Sequence, residues 1–369
     1  MSKKRRKQSM GYWENKRKKL INDLPTILDV MDRLAYDEEK WALEKSMIRG
    51  SFPSYVHEGK FEIVSGPDGQ ERLIPCSLFV NRYYRGESGY HKPCKPSLYR
   101  KGMTDEAIFH ERLKTCELEL LIEDYPLTAI FKSGLQVTLN DGHVIHLHLN
   151  IDTEALAQHY GIKTDLLDLT IDKFVAAFFA TTTYRNGKYY PIEPKEPKYG
   201  VIYIYGDESC DENDMYSKHM RVVGLQPFSR PGEQAGFVFR LGKKDDFRKK
   251  VLKKIKFRQD KDMSWLIFNY TNRANKLFPK GVLEEKADVI INSKFYSIKA
   301  YELCKARYYA DVDNSILLGY LENLHLSINE QSPIKFSDAE KEKVVKDWNE
   351  RGLDEFRKKV IYRRVMKIN

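Results

Sequence analysis

Thirteen residues in the middle of the chain, Gln158 to Thr170, hold a histidine, a lysine, two aspartates and two threonines. They lead directly into the apolar run Phe174-Val175-Ala176-Ala177-Phe178-Phe179-Ala180. A segment kept for packing alone has no use for so many titratable and hydroxyl groups at the mouth of a buried helix. The fold is therefore required to set a polar site against its core here. The pattern predicts a helix near 153–160, a short segment at 166–170 and a buried helix from Asp172 onward. Well upstream, residues 77–85 read as a strand that delivers Arg85-Gly86 to its end.

Around these segments the chain alternates helix and hairpin signals. Leu24, Leu28, Met31, Leu34 and Trp41 recur at helical spacing over 24–48, with Gly50 as a stop. Residues 60–64 and 71–74 flank Gly66-Pro67-Asp68-Gly69 as a hairpin. Thr104 can cap a helix over 105–124, ended by Pro126, with Ile108, Leu113, Cys116 and Leu120 inward. Residues 134–140 and 143–149 alternate around Asn140-Asp141-Gly142, a strong hairpin turn. Residues 187–199 read as a surface loop, 201–205 and 235–241 as strands, and 245–254 as a basic helix. The tail after Asp311 reads as helical, with capping-box spacing at Ser337 and Glu340 and Gly352 as a stop. The expected class is α+β, a mixed core of antiparallel strands and packed helices. It divides into a basic disordered arm (1–23), a helix-and-hairpin extension (24–75), a core domain (76–285) and a helical C-terminal appendage (286–369).

Charge is concentrated. The net charge is +10, yet residues 1–20 hold nine basic residues against Glu14 alone. The remainder is close to neutral, so the expectation is a balanced globule with a basic arm, led by Lys3, Lys4, Arg5, Arg6 and Lys7. Such an arm holds phosphate backbones by releasing counterions, or serves only as a solvated tail. In a nucleated cell it would also suit nuclear import. A second basic element closes the chain with Arg357, Lys358, Lys359, Arg363, Arg364 and Lys367. Five cysteines, odd in number and without a Cys-x-x-Cys pair, argue against a disulfide framework and a structural zinc site. No apolar run reaches membrane-spanning length and the basic start does not lead into a signal-like stretch. The expected setting is soluble and cytoplasmic, without a membrane partner; the oligomeric state is left open.

Taken together, Tyr84-Arg85-Gly86, Lys95-Pro96-Ser97-Leu98-Tyr99-Arg100, and Gln158-His159-Tyr160-Gly161 with Thr164, Leu166-Leu167-Asp168 and Thr170 resemble the FRG domain. That family is named for its (Phe/Tyr)-Arg-Gly motif. Arg230, Gln234, Gly236 and Phe237 fit a third motif, and Leu277-Phe278-Pro279 its close, so the likeness spans residues 78–280. Two positions depart from the pattern: Asp165 stands where the family usually has Arg, and Leu169 where it has Trp. A reversed charge at 165 changes ligand choice or marks lost activity.

A more distant resemblance is to ADP-ribosyltransferases. It implies a nucleotide-like ligand, NAD, bound by Tyr84, Arg85, Gly86, Thr164 and Thr170, with Arg85, His159, Asp168, Glu233 and Gln234 in catalytic roles. There Arg85 would grip phosphate while Gly86 lets backbone approach a flat ligand. Glu233 or Gln234 would sit at the ribose, and His159 would bind phosphate or act as a base. The family's occurrence in bacteria and their viruses implies a toxin or antiviral defence role. The competing reading of the same residues is an Arg85–Asp168 ion pair that fixes two elements, with His159 bonded to a carbonyl and Gln234 as a cap. A non-enzymatic module that binds nucleic acid through the arm is the other functional class. His146 and His148 share a strand face with no further ligand in view, so a half-exposed hairpin is preferred to a metal site. No phosphate loop or serine-nucleophile elbow is present.

Overall fold

The computed structural model describes residues 14–49, 61–65, 71–75, 82–138, 144–206 and 219–365, and of 41–49 and 361–365 the backbone alone. Lys3 to Lys7, the side chain of Trp41, the turns at 66–69 and 140–142, His143, and the expected start of a strand at 77–81 lie outside them.

The centre is a six-stranded sheet of β1 (Arg82–Glu87), β2 (Leu166–Thr170), β3 (Tyr199–Gly206), β4 (Met220–Val222), β5 (Gly236–Arg240) and β6 (Lys253–Arg258). Their order is β4-β5-β2-β1-β3-β6 and every neighbouring pair is antiparallel. Side chains alternate across the sheet. One face gathers Tyr83, Leu167, Leu169, Tyr203, Tyr205, Phe237 and Phe239 around Phe247. On the other, Tyr84, Ile202 and Ile204 pack against helices α1 (Ile27–Arg49), α4 (Lys173–Thr181) and α5 (Lys261–Tyr270). Between these lie α2 (Asp105–Glu123) and α3 (Thr153–His159).

Gly86 lies inside β1, with Glu87 still to follow before the strand ends. A Cβ there would stand 1.8 Å from the carbonyl oxygen of Ala176. The backbone that approaches this glycine is that of α4, whose Ala176, Ala177 and Ala180 are buried against the sheet. The need for glycine is thus met by helix packing, where the sequence suggested contact with a flat ligand.

Several local expectations change for identifiable reasons. Pro126 ends α2 but also opens a further helix, Pro126–Ser133, at whose first position proline is tolerated. Within the expected loop 187–199, Lys188–Pro191 pairs with Thr182–Arg185. Asn186 and Gly187, at φ 49° and 75°, form the tight turn between them. The expected basic helix over 245–254 is instead a single 3-10 turn, Phe247–Lys249, capped by Asp246, followed by strand β6. Ile255 and Phe257 face inward while Lys254 and Lys256 are exposed, so the period is two.

The C-terminal basic stretch, Val360–Val365, is a strand parallel to Phe61–Ser65, which pairs antiparallel with Glu71–Pro75. Leu283, Tyr296, Leu317 and Phe356 share one apolar cluster with Phe61, Leu113 and Leu156. The C-terminal helices therefore pack on α2 as part of the core. No helix among the described residues is long and apolar enough to cross a membrane. Nor do the described residues hold a cluster of three metal-ligating side chains; His146 lies exposed on the strand Val144–Leu147 and His148 exposed just beyond it.

Candidate functional site at a break in the central sheet

Strand β1 pairs with β3 at six positions, Arg82 to Glu87, but with β2 at one, Tyr84 opposite Thr170. The β1–β2 ladder stops there. Arg85 Nη1 donates to the backbone carbonyl of Asp168 at 3.0 Å, filling the break with a guanidinium where backbone pairing would otherwise continue. Strand parity explains why the carboxylate of Asp168 is not its partner. Asp168 lies between Leu167 and Leu169, which face Tyr83, so its own side chain emerges on the other side of the sheet from that of Arg85. The expected Arg85–Asp168 ion pair is replaced by Arg85–Glu87: Nε donates to Glu87 Oε1 at 3.2 Å and Nη2 stands 3.1 Å from it. Residues 85 and 87 share a face by their spacing of two, a signal present in the sequence and missed there.

Burial works against the charge on Arg85, but the Glu87 carboxylate outweighs it and raises the guanidinium pKa further. Cys94 Sγ donates to the same Glu87 oxygen at 3.3 Å, and burial pushes its thiol up to about 12. Arg100, next in this group, has its pKa lowered by desolvation and then by the positive charge of Arg85. Arg100 itself is exposed, and its Nε donates to the Lys95 carbonyl at 3.3 Å.

On the helix side, Thr164 Oγ1 donates to Gln158 Oε1 at 2.6 Å, and Gln158 Nε2 donates to Asp168 Oδ2 at 3.2 Å. This relay fixes the orientation of Asp168. His159 is 9% exposed; burial lowers its pKa and keeps the ring neutral at pH 7. Four buried polar atoms here have no hydrogen-bond partner among the described residues: Glu87 Oε2, Asp168 Oδ1, His159 Nε2 and the Tyr203 hydroxyl. Each such atom costs about 1–3 kcal/mol when unsatisfied. Their concentration on both sides of one break marks the region apart from ordinary core.

The other expected site residues occupy structural positions. Tyr84 is buried and its hydroxyl donates to Glu38 of α1 at 2.5 Å. Thr170 Oγ1 donates to the Gln234 carbonyl and accepts from the Asp172 amide. Gln234 spends its amide on the Leu277 carbonyl at 3.0 Å. Glu233 is at the surface, 41% exposed and 3.9 Å from Lys359. Arg230 stacks over Tyr160, donates to the His159 carbonyl and pairs with Glu284.

The two departures from the family pattern are accommodated locally. Asp165 accepts from Arg240 Nη1 at 3.0 Å, and Arg240 also pairs with Glu154. Leu169 fills the apolar face beside Tyr83.

Residues 80–188 match the family model of the FRG domain. An FRG domain is therefore present over these residues. The matched stretch contains the Tyr-Arg-Gly and Gln-His-Tyr-Gly motifs and both sides of the sheet break. Residues 230–237 and 277–279 fall outside it. No curated protein and no solved structure matches the chain.

Proposed function

We propose that the break between β1 and β2 binds a nucleotide-like ligand, NAD being the leading candidate. On this reading the protein transfers or hydrolyses ADP-ribose. The observation that carries the reading is that buried carboxylate oxygens of Glu87 and Asp168 stay unsatisfied on the two faces of the sheet beside Arg85, at a place where sheet pairing stops. Arg85 and Arg100 supply the cationic pair that a diphosphate requires. Glu87 Oε2 and Asp168 Oδ1 are free carboxylate oxygens able to stabilise positive charge developing on a ribose ring. In the reaction the ribose–nicotinamide bond breaks, nicotinamide leaves with the bonding pair, and water or an acceptor adds to the ribose carbon. In this proposal Glu87 joins Asp168 in place of Glu233 and Gln234, which are engaged elsewhere.

The test is incubation of the protein with NAD, following nicotinamide release beside Glu87→Gln and Asp168→Asn. Release that either variant loses, at unchanged melting temperature, supports the reading. Absence of release together with absence of NAD binding by calorimetry sinks it.

A further inference from the structure

The charge count that makes the chain beyond residue 20 look neutral conceals a local excess. Residues 243–258 contain nine basic side chains against Asp245 and Asp246. Asp246 is buried and consumed by Arg248, which it meets at 2.5 Å, and Lys243 pairs with Asp105. Lys249, Lys250, Lys254 and Lys256 are exposed. They lie on or just before β6, which among the described strands pairs with β3 alone and so ends the sheet on that side. Lysine on an edge strand discourages sheet-to-sheet association. That role does not call for the aromatic rings that accompany these lysines.

Tyr90, in the turn that follows β1, has Lys256 Nζ 4.8 Å, Lys92 Nζ 5.3 Å and Arg248 Cζ 5.4 Å from its ring centroid. Tyr199, partly exposed, has Lys256 Nζ at 4.9 Å. The basic arm also converges here. Lys16, Arg17, Lys18 and Lys19 are exposed on a short helix over 14–22, and the Pro25 carbonyl that follows it accepts the Arg258 amide at 2.9 Å. Arm and edge strand are thereby tied at one corner of the sheet. The same turn reaches the candidate site, since the Cys94 amide donates to Asp246 and the Phe247 amide to the Cys94 carbonyl.

We infer that the β6 edge, with Tyr90 and Tyr199, is a binding surface for single-stranded nucleic acid, extended by the helix over 14–22. Closely spaced lysines follow a phosphate backbone, and tyrosine faces accept bases that a single strand exposes and a duplex hides. This surface is independent of the NAD reading, because binding to it requires no turnover.

The experiment is fluorescence anisotropy of the full-length protein with a labelled oligothymidylate, across a salt series, with a duplex of equal length and heparin as competitors. Lys254→Gln with Lys256→Gln should weaken binding about tenfold and reduce the salt slope by about 1.4 for two lost single-strand contacts. Tyr90→Leu should weaken oligothymidylate binding about tenfold and leave heparin binding unchanged. Should the double variant melt early, Lys249→Gln with Lys250→Gln in the exposed turn gives the same reading without touching the strand. Wild-type affinity in all three variants overturns the inference, as does a loss confined to Arg17→Gln with Lys18→Gln in the arm. Equal binding of duplex and insensitivity to Tyr90→Leu overturn the assignment to single strands.

Discussion

Two clusters of arginine and carboxylate lie close in sequence on β2 and its neighbours, and they are built differently. At the outer end of β2 and β5, Arg240 meets Asp165 and Glu154, Arg221 meets Asp152 and Glu154, and Tyr308 donates to Glu154 at 2.5 Å. Three carboxylates meet two arginines there, with Arg221 Nε alone left without a hydrogen bond, and the arginines lower the Glu154 pKa against the effect of its burial. At the β1–β2 break, Arg85 leans on one oxygen of Glu87 and on a backbone carbonyl, and carboxylate oxygens of both Glu87 and Asp168 are left over. The first arrangement explains itself as a brace. The second holds polar groups that the protein alone does not satisfy, which is the signature expected of a ligand site.

Gly86→Ala probes the scaffold behind this contrast and should rank with Arg85→Ala among the largest effects. Its new methyl meets the α4 backbone, with a cost of about 3 kcal/mol or more, read as a lowered urea midpoint or failure to fold. Arg85→Ala leaves the buried Glu87 carboxylate unpaired and should cost about 3–5 kcal/mol. Arg240→Ala, at a position 26% exposed, should cost about 1–2 kcal/mol after allowance for solvent screening. Urea denaturation of the two variants side by side breaks the comparison if Arg240 proves the costlier loss.

Acidification gives a smaller effect. Burial depresses the His110 pKa to about 4 and lowers that of His159, so both take up protons more readily when unfolded. Stability should hold above the unfolded value near 6.5 and fall as pH drops toward 5, by roughly 1–2 kcal/mol for His110. His110→Gln should flatten the dependence of melting temperature on pH between 7 and 5; an unchanged slope contradicts the assignment. Smallest of all, Asp168→Asn should alter stability by less than about 0.5 kcal/mol while removing ligand response, because its Oδ1 has no protein partner to lose.

Much of the scaffold was legible because its signals are local. Thr104 caps α2 through the Ala107 amide, Asp172 caps α4 through Phe174, and Ser337 with Glu340 forms the capping box. The antiparallel pairs 61–65 with 71–75 and 135–138 with 144–147 fall where turn residues and strand-like runs placed them. Basic residues over 245–254 misled because lysine carries no period of its own; only Ile255 and Phe257 reveal a strand. The polar site was visible as a set of residue types, but its arrangement was not. The family resemblance suggested that Arg85, His159 and Asp168 act together, whereas the sheet puts the Arg85 and Asp168 side chains on opposite faces and joins them through a break in pairing. That break depends on the register between strands far apart in sequence, which no local pattern encodes. Glu87 was legible in principle from its spacing to Arg85; Cys94 and Arg100 were brought in by the turn after β1.

The most direct test of the break as a ligand site is the NAD-induced change in melting temperature, compared among the wild-type protein, Arg85→Lys and Arg240→Lys. At a concentration one hundred times the dissociation constant, binding should stabilise the wild type by about 2.7 kcal/mol. The account predicts that this shift persists in Arg240→Lys and disappears in Arg85→Lys. A shift kept by Arg85→Lys and lost by Arg240→Lys would contradict it, moving the site to the brace; no shift in the wild type would remove NAD as the ligand.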